Sequence, residues 1–283
     1  MIRLDAASFL LQWAVGGLAF TWVTTRRREV GLGYGWMMRI TFGLMALLSV
    51  AIGQVIGPVP VRDVAALAVV AATGCALWVS VQRKAAGVAG QRELVERRSA
   101  RVAAMTGIDR DEQHFDADAP EFPPALDLVA PLIGIVGLVA AGIDAGGPTG
   151  LAVARLVVGA AFLGAVTDAM LLGHWYLVQP GLARGPLLEL VRWTIWLWPL
   201  EVAVMLWPTG MVSVLNGSID DGYGGILGWM WLTCAVTTIG LVLVTRAALK
   251  ERQYSAVMAA TGLLYLAILT AFGQDLVARA VLA

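Results

Sequence analysis

Long apolar runs, separated by short polar segments, dominate the hydropathy pattern of this chain. A membrane-spanning α-helix needs about 20 consecutive, mainly apolar residues. The runs that meet this requirement are residues 7–24, 36–57, 64–82, 125–143, 151–178, 187–207, 225–245 and 254–276. Because lipid offers the backbone no hydrogen-bond partners, such runs are predicted to be helices. The pattern therefore predicts one all-α integral membrane domain over residues 1–283, with about eight transmembrane helices.

The composition agrees with this pattern and excludes several classes of protein. Charged residues make up 14% of the chain and hydrophobic residues 59%, whereas soluble domains carry about 25% charged residues. The net charge is zero, so nothing indicates a nucleic-acid partner. Cys75 and Cys234 each lie in an apolar run without a second cysteine or a histidine at ligand spacing, which favours simple packing. The expected partners are membrane lipids and other membrane subunits.

The basic residues predict the orientation of the bundle. They follow the odd-numbered runs, in the segments around 26–28, 83–110, 184 and 246–252, while the alternate loops contain Arg62 alone. Since basic loops stay in the cytoplasm, both termini are predicted to lie outside. The many arginine, alanine, valine and glycine residues are typical of a GC-rich bacterial genome. We therefore expect a multi-pass protein of a bacterial inner membrane.

Residues 83–124 form the one long polar segment, predicted to be a cytoplasmic loop between the third and fourth spans. Its first half, QRELVERRSARVAAM, has helix-forming residues and a Glu93–Arg97 pair at i,i+4 spacing. Its second half is acidic and ends at Pro123-Pro124. His114 lies among these acidic residues, but their spacing matches no zinc or calcium signature. A solvated linker is favoured, and no metal site is predicted.

Two ionisable residues of the fifth run are the first functional candidates, because charged groups at membrane depth usually serve a function. Asp168 lies about 15 Å from the cytoplasmic end of the run and His174 about 6 Å, at 1.5 Å per residue. The two are about 120° apart around the helix, so they occupy different faces. Thr167 shares the face of His174. Asp168 is a mid-membrane transport candidate, and His174 and Thr167 are candidates for contacting a ligand or partner.

The sixth run adds further polar candidates. Glu189, Arg192 and Trp196 share one helical face, while Glu201 lies about 180° from Arg192. Glu189 and Arg192 reach a depth similar to that of His174. We therefore predict a polar cluster of His174, Glu189 and Arg192 on the cytoplasmic side. Glu201 joins the mid-membrane transport candidates, close to a carbonyl that Pro199 is expected to free.

Other charges near the ends of the runs are expected to be topological anchors. Arg39 can extend to the headgroups on the cytoplasmic side, and Arg155, Asp275 and Arg279 can do so on the outer side. Asp127 begins a helix, where a carboxylate suits the helix dipole.

No self-contained catalytic site is predicted. There is no HExxH pair, no second deep aspartate and no phosphate-binding loop on a strand–helix unit. A single histidine in an apolar run argues against a self-sufficient bis-histidine heme, although a heme shared with another subunit stays open. The cofactor is unknown, with lipid or quinone as candidates.

Two functional hypotheses follow. The first is an accessory or structural subunit of a larger membrane complex, of a respiratory or electron-transfer kind, with a quinone- or lipid-contacting site near the cytoplasmic leaflet. The alternative is a secondary transporter or channel-like protein that uses Asp168 and Glu201, with Pro199 and glycines as helix-breaking positions. The transporter hypothesis predicts a polar cavity that reaches Asp168.

Overall fold

The computed structural model describes residues 5–93, 115, 116, 118–179, 181–251 and 253–282. In this part of the chain there is no β-strand, and the predicted all-α bundle is confirmed. Its α-helices are α1 (Ala6–Thr25), α2 (Leu32–Ile56), α3 (Pro60–Gln82), α4 (Val129–Asp144), α5 (Thr149–Val178), α6 (Gly185–Leu206), α7 (Gly210–Leu215), α8 (Ile226–Ala248) and α9 (Tyr254–Val281). A 3₁₀ segment, Pro124–Leu128, leads into α4.

Seven of these helices are long and apolar enough to cross a membrane: α1, α2, α3, α4 with its leading 3₁₀ segment, α5, α8 and α9. The predicted sixth span corresponds to α6, which has 22 residues but is not among the seven. It carries Glu189, Arg192 and Glu201, which lower its apolar character. The protein is therefore a multi-pass helical bundle with seven candidate spans among the described residues rather than eight.

Helices α1 and α5 form the centre of the bundle, and glycines allow their backbones to touch. Helix α1 packs against α2, α4 and α5, and α5 also contacts α6 and α9. A Cβ atom on Gly16 would lie 1.8 Å from the carbonyl oxygen of Ala160, and one on Gly164 would lie 2.3 Å from the carbonyl carbon of Gly16. Small residues at such a crossing bring helices close enough for dense packing in a membrane.

The helices run between two ends of different character. We call the end that carries Asp5 and Leu282 the terminal end. At the opposite end, Arg26 and Arg27 of the α1–α2 turn both bind Glu189 at the start of α6. The hydrogen bond to Glu189 raises the pKa of Arg27. These ion pairs tie α1 to α6. Which end faces the cytoplasm stays a prediction.

Arg39 and Asp127 correct the expectation that they are interfacial anchors. Both side chains are 2% exposed, and Arg39 donates to the two carboxylate oxygens of Asp127 at 2.8 Å each. The Thr25 hydroxyl donates to the same carboxylate at 2.8 Å, and the Arg39 guanidinium lies 4.3 Å from the centre of the Phe122 ring. Because the 3₁₀ segment before α4 packs against α1, Asp127 is carried inside the bundle, where an ion pair replaces water.

Part of the predicted loop lies outside the described residues. This applies to Arg97 and His114, and so to the proposed helical pair and the acidic group around the histidine. The described ends of the loop pack against α3. The Asp116 backbone N–H donates to the Ala85 carbonyl at 2.9 Å, and Arg83 donates to the Glu121 carbonyl at 3.0 Å.

Candidate functional site

A pocket of about 480 Å³ opens at the terminal end of the bundle, between the start of α1, the α2–α3 turn, the α4–α5 turn and the last turns of α9. Its volume falls in the range of sites for small molecules. Phe9, Leu156 and Leu276 belong to its apolar wall, and Arg155 and Arg279 supply positive charge. The pocket therefore combines an apolar surface with two guanidinium groups.

Backbone carbonyls at the end of α6 bind Arg155, and a carbonyl of α5 binds Arg279. Arg155, 5% exposed, donates from Nε to the carbonyl of Val204 at 3.0 Å and from Nη2 to that of Trp207 at 3.1 Å. Arg279 donates from Nη2 to the carbonyl of Arg155 at 2.7 Å. The last carbonyls of a helix have no intrahelical partner and carry partial negative charge, so the end of α6 suits a guanidinium.

Two carboxyl groups lie behind these arginines. Asp275 and Glu201 are both 0% exposed. Arg279 Nε donates to both Asp275 oxygens at 2.9 Å, and the Gln12 amide donates to one of them at 3.4 Å. The Glu201 carboxyl faces Asp275 and lies within the field of Arg155 and Arg279. Neither Glu201 oxygen accepts a hydrogen bond from any residue that the structure describes.

This arrangement suits Glu201 to binding a proton. A buried carboxylate without a donor is strongly unfavourable, and two carboxylates in contact cannot both be ionised at low cost. Asp275 shares the Arg279 Nε–H between its two oxygens, whereas Glu201 accepts no hydrogen bond from a described residue. Glu201 in the neutral form can donate a hydrogen bond to Asp275. We call Glu201, Asp275, Arg155, Arg279 and Gln12 the carboxyl–arginine cluster.

Gly159 on α5 makes room for this cluster. A Cβ atom at this position would lie 2.6 Å from Arg279 Nη2 and from Gln12 Nε2, and 3.1 Å from Asp275 Oδ1. The polar groups from α1 and α9 therefore lie directly against the backbone of α5. Any larger residue would displace them.

The expectation that Arg155, Asp275 and Arg279 extend to the headgroups is wrong. All three have partners inside the bundle: Arg155 binds the carbonyls at the end of α6, and Asp275 and Arg279 bind each other. The i,i+4 spacing of Asp275 and Arg279 within one apolar run was the available sequence signal for an internal ion pair. No local pattern indicates that they lie near Glu201, which precedes Asp275 by 74 positions.

Asp168 occupies a separate and sealed place in the bundle. It is 0% exposed, and neither carboxyl oxygen accepts a hydrogen bond from a described residue. Thr21 of α1 and Tyr34 of α2 lie near its carboxyl group. The Thr21 hydroxyl donates instead to the Gly17 carbonyl at 2.9 Å. Asp168 is not part of the pocket wall, so this pocket is not the cavity to Asp168 that the transporter hypothesis predicts.

Asp168 and His174 occupy different faces, as predicted. His174 is exposed on the outer surface of the bundle, and its Nδ1 lies 3.2 Å from the Tyr265 hydroxyl of α9. Thr167 is buried and accepts a hydrogen bond from the Trp13 indole N–H at 2.9 Å. Thr167 thus contributes to packing between α1 and α5.

The predicted cluster of His174, Glu189 and Arg192 does not form. Glu189 binds Arg26 and Arg27 instead, since the turn after α1 brings both arginines to the start of α6. Arg192 is exposed and makes no ion pair with a described residue. Trp196 is 61% exposed and stacks edge-on with Trp193, with ring centres 5.7 Å apart.

Among the described residues there is no group of three or more histidine, cysteine, aspartate or glutamate side chains that could hold a metal ion. A comparison of this chain with protein-family models, with curated proteins and with solved structures found no match in any of the three.

Proposed function

We propose that this protein is a proton-coupled membrane carrier for a small solute, with the pocket as the solute site and Glu201 as the proton site. The observation that supports the proposal is the fully buried, unpartnered Glu201 facing Asp275, behind two arginines that line the pocket. Buried ionisable residues in membrane helices mark proton and substrate pathways in pumps and transporters. Pro199, two positions before Glu201, interrupts the hydrogen bonding of α6.

This proposal uses one of the two predicted transport residues and replaces the other. Glu201 lies behind the pocket, whereas Asp168 is sealed and lies nine residues, about 13.5 Å, beyond Gly159 on α5. In this proposal the charged partners of Glu201 are Asp275, Arg155 and Arg279, and Asp168 has no part in transport. We further propose a bacterial inner membrane as the location, on the composition and the distribution of basic residues.

Proteoliposomes that contain a trapped pH-sensitive dye test the proposal. Three solutes with the same eight-carbon chain are added outside: octanesulfonate, octyltrimethylammonium and octyl glucoside. None of them carries protons across lipid by itself as a weak acid would. The wild-type protein should change the internal pH with at least one of them, and the Glu201→Gln variant should not.

The matched control is Glu189→Gln, which removes a carboxylate at the opposite end of the bundle. This variant should behave as the wild type in the dye assay. The proposal would be refuted if Glu201→Gln moved protons at the wild-type rate, or if none of the three solutes moved protons through the wild-type protein.

Membership in a larger membrane complex stays a prediction. The contact between His174 and Tyr265 on the outer surface gives it a definite place to test, since a partner subunit or a quinone headgroup could bind there. Mild detergent extraction followed by mass spectrometry of intact particles identifies the proteins and lipids that stay bound to this chain. Membrane proteins that copurify with the wild type but not with His174→Ala would support the hypothesis, and a monomer with only bound lipid would refute it.

A further inference from the structure

We infer that the pocket binds an amphiphile with an anionic headgroup, and that this anion enters together with the proton on Glu201. The inference rests on the proposed function, because it uses the same pocket and the same proton site. It adds the chemical class of the ligand and the direction of the coupling.

The charges of the pocket wall favour an anion. Arg155 and Arg279 line the pocket, and their hydrogen bonds to the described residues use Nε and Nη2. The Nη1 group of each arginine is therefore available to a ligand. Two guanidinium groups side by side are well suited to the oxygens of a carboxylate, sulfonate or phosphate.

The acidic residues of the pocket have their own partners and do not compete. Asp5 caps the start of α1 by accepting hydrogen bonds from the backbone N–H groups of Ala7 at 3.1 Å and Ser8 at 3.2 Å. It also binds Arg62, which is 1% exposed. Asp144 likewise has an interaction partner. A cationic ligand would have to displace these contacts, whereas an anion finds unused donors.

The remaining wall favours an apolar chain on the same ligand. Phe9 of α1, Leu156 of α5 and Leu276 of α9 all line the pocket. Burying an apolar chain against such a surface gives about 25 cal/mol for each Å² removed from water. A small inorganic anion would leave this surface without a partner, so an amphiphile fits the pocket better.

The carboxyl–arginine cluster couples the anion to the proton. With Glu201 neutral, two arginines face one carboxylate, Asp275, and the cluster carries a net charge of +1. With Glu201 ionised the net charge is zero. An anion near Arg155 and Arg279 therefore binds better when Glu201 carries its proton, and by linkage the bound anion favours protonation of Glu201. Anion and proton move in the same direction, and neither leaves an unbalanced charge inside the bundle.

Binding of the same three eight-carbon probes to the purified protein tests the ligand class. We expect octanesulfonate to bind about tenfold to a hundredfold more tightly than octyl glucoside, as one or two charge-assisted hydrogen bonds would provide. Octyltrimethylammonium should bind more weakly than either. Binding of octanesulfonate should weaken as the pH rises and Glu201 loses its proton, and this dependence should disappear in Glu201→Gln.

Variants locate the binding site. Arg155→Gln should weaken octanesulfonate binding to the level of octyl glucoside, while Arg28→Gln, at the opposite end, should not. Arg155 also binds the end of α6, so Arg155→Gln removes a structural contact as well. If that variant does not fold, the headgroup preference of the wild-type protein tests the inference instead. Equal binding of the sulfonate and the glucoside, or a preference for the ammonium, would overturn the inference.

The outcomes separate this inference from the proposed function. Proton movement driven by octyltrimethylammonium but not by octanesulfonate would support the carrier function and refute the inference that the ligand is an anion. Tight octanesulfonate binding without proton movement would keep the ligand class and refute the carrier. Competition by phosphatidylglycerol against octanesulfonate would identify the natural anion as a lipid headgroup, and failure of that lipid to compete would identify a free amphiphile.

Discussion

Removal of one partner from the buried pair of Arg39 and Asp127 should destabilise the protein strongly. Asp127→Ala leaves the Arg39 guanidinium, which is 2% exposed, without its counter-charge. Two unit charges about 4 Å apart attract each other by about 4 kcal/mol at an effective dielectric constant near 20. Measured costs of breaking a buried pair are about 3–5 kcal/mol, so we expect a loss in this range in the free energy of unfolding.

The companion variant changes both residues together. Arg39→Met combined with Asp127→Leu removes both charges and fills the space with apolar groups, and such replacements are often neutral or stabilising. We therefore expect the double variant to be more stable than Asp127→Ala alone. The free energies of unfolding of the wild type, Asp127→Ala and the double variant are measured in detergent, with the fluorescence of the 11 tryptophans as the signal.

Two results would refute this reasoning. A loss of less than about 1 kcal/mol in Asp127→Ala would mean that water or another group compensates Arg39, as happens for exposed pairs. A double variant as unstable as Asp127→Ala would mean that the two side chains act through shape rather than charge. In that case the contact of Arg39 with Phe122 would carry the stability.

Three further predictions concern other parts of the bundle. Gly16→Ala should lower the free energy of unfolding by about 1–3 kcal/mol or more, because its Cβ would lie 1.8 Å from the Ala160 carbonyl. Gly262→Ala, with open space around it, should be neutral in the same unfolding assay. Equal effects of the two substitutions would contradict the close α1–α5 crossing. Asp168→Asn should leave stability unchanged or raise it, because neither carboxyl oxygen has a described donor to lose, and a loss above about 2 kcal/mol, the scale of a lost charged hydrogen bond, would reveal a partner. Hydrogen bonds from backbone N–H groups, that of Gly225 first, lower the pKa of Asp221, so the order they give the loop should persist at neutral pH and disappear as the pH falls through that lowered pKa. The protection of the Gly225 amide against exchange, relative to its intrinsic rate at each pH, should be lost in acid, and it should be lost at all pH values in Asp221→Ala.

The fold was predictable because apolar run length alone selects membrane helices. Each predicted run corresponds to a helix in the structure, and the ends differ by a few residues. Helix α6 is the one predicted span that is not among the seven candidate spans of the described residues. Its 22 residues are long enough, but Glu189, Arg192 and Glu201 make its composition ambiguous. Hydropathy records what a segment contains, and it does not record which neighbours satisfy its charged side chains.

The site was predictable only in part, for a related reason. Depth identified Glu201 and Asp168 as buried, and helical phase separated Asp168 from His174. Depth misjudged Asp275 and Arg279, since a residue near the end of a helix can point to the interface or into the bundle. That choice depends on the tertiary partners, here Gln12 for Asp275 and the Arg155 carbonyl of α5 for Arg279, and no local pattern encodes them.

The hydrogen bond between Gln12 and Asp275 joins residues that are 263 positions apart, and this has a consequence for biogenesis. Helix α1 leaves the ribosome before α9. At about 5–20 residues per second, roughly 13 to 53 s separate the synthesis of the two partners. During that interval the Gln12 amide enters the membrane without its acceptor, where an unsatisfied polar group is costly. Until α9 arrives, the Gln12 amide therefore needs a temporary partner, such as water or another polar group.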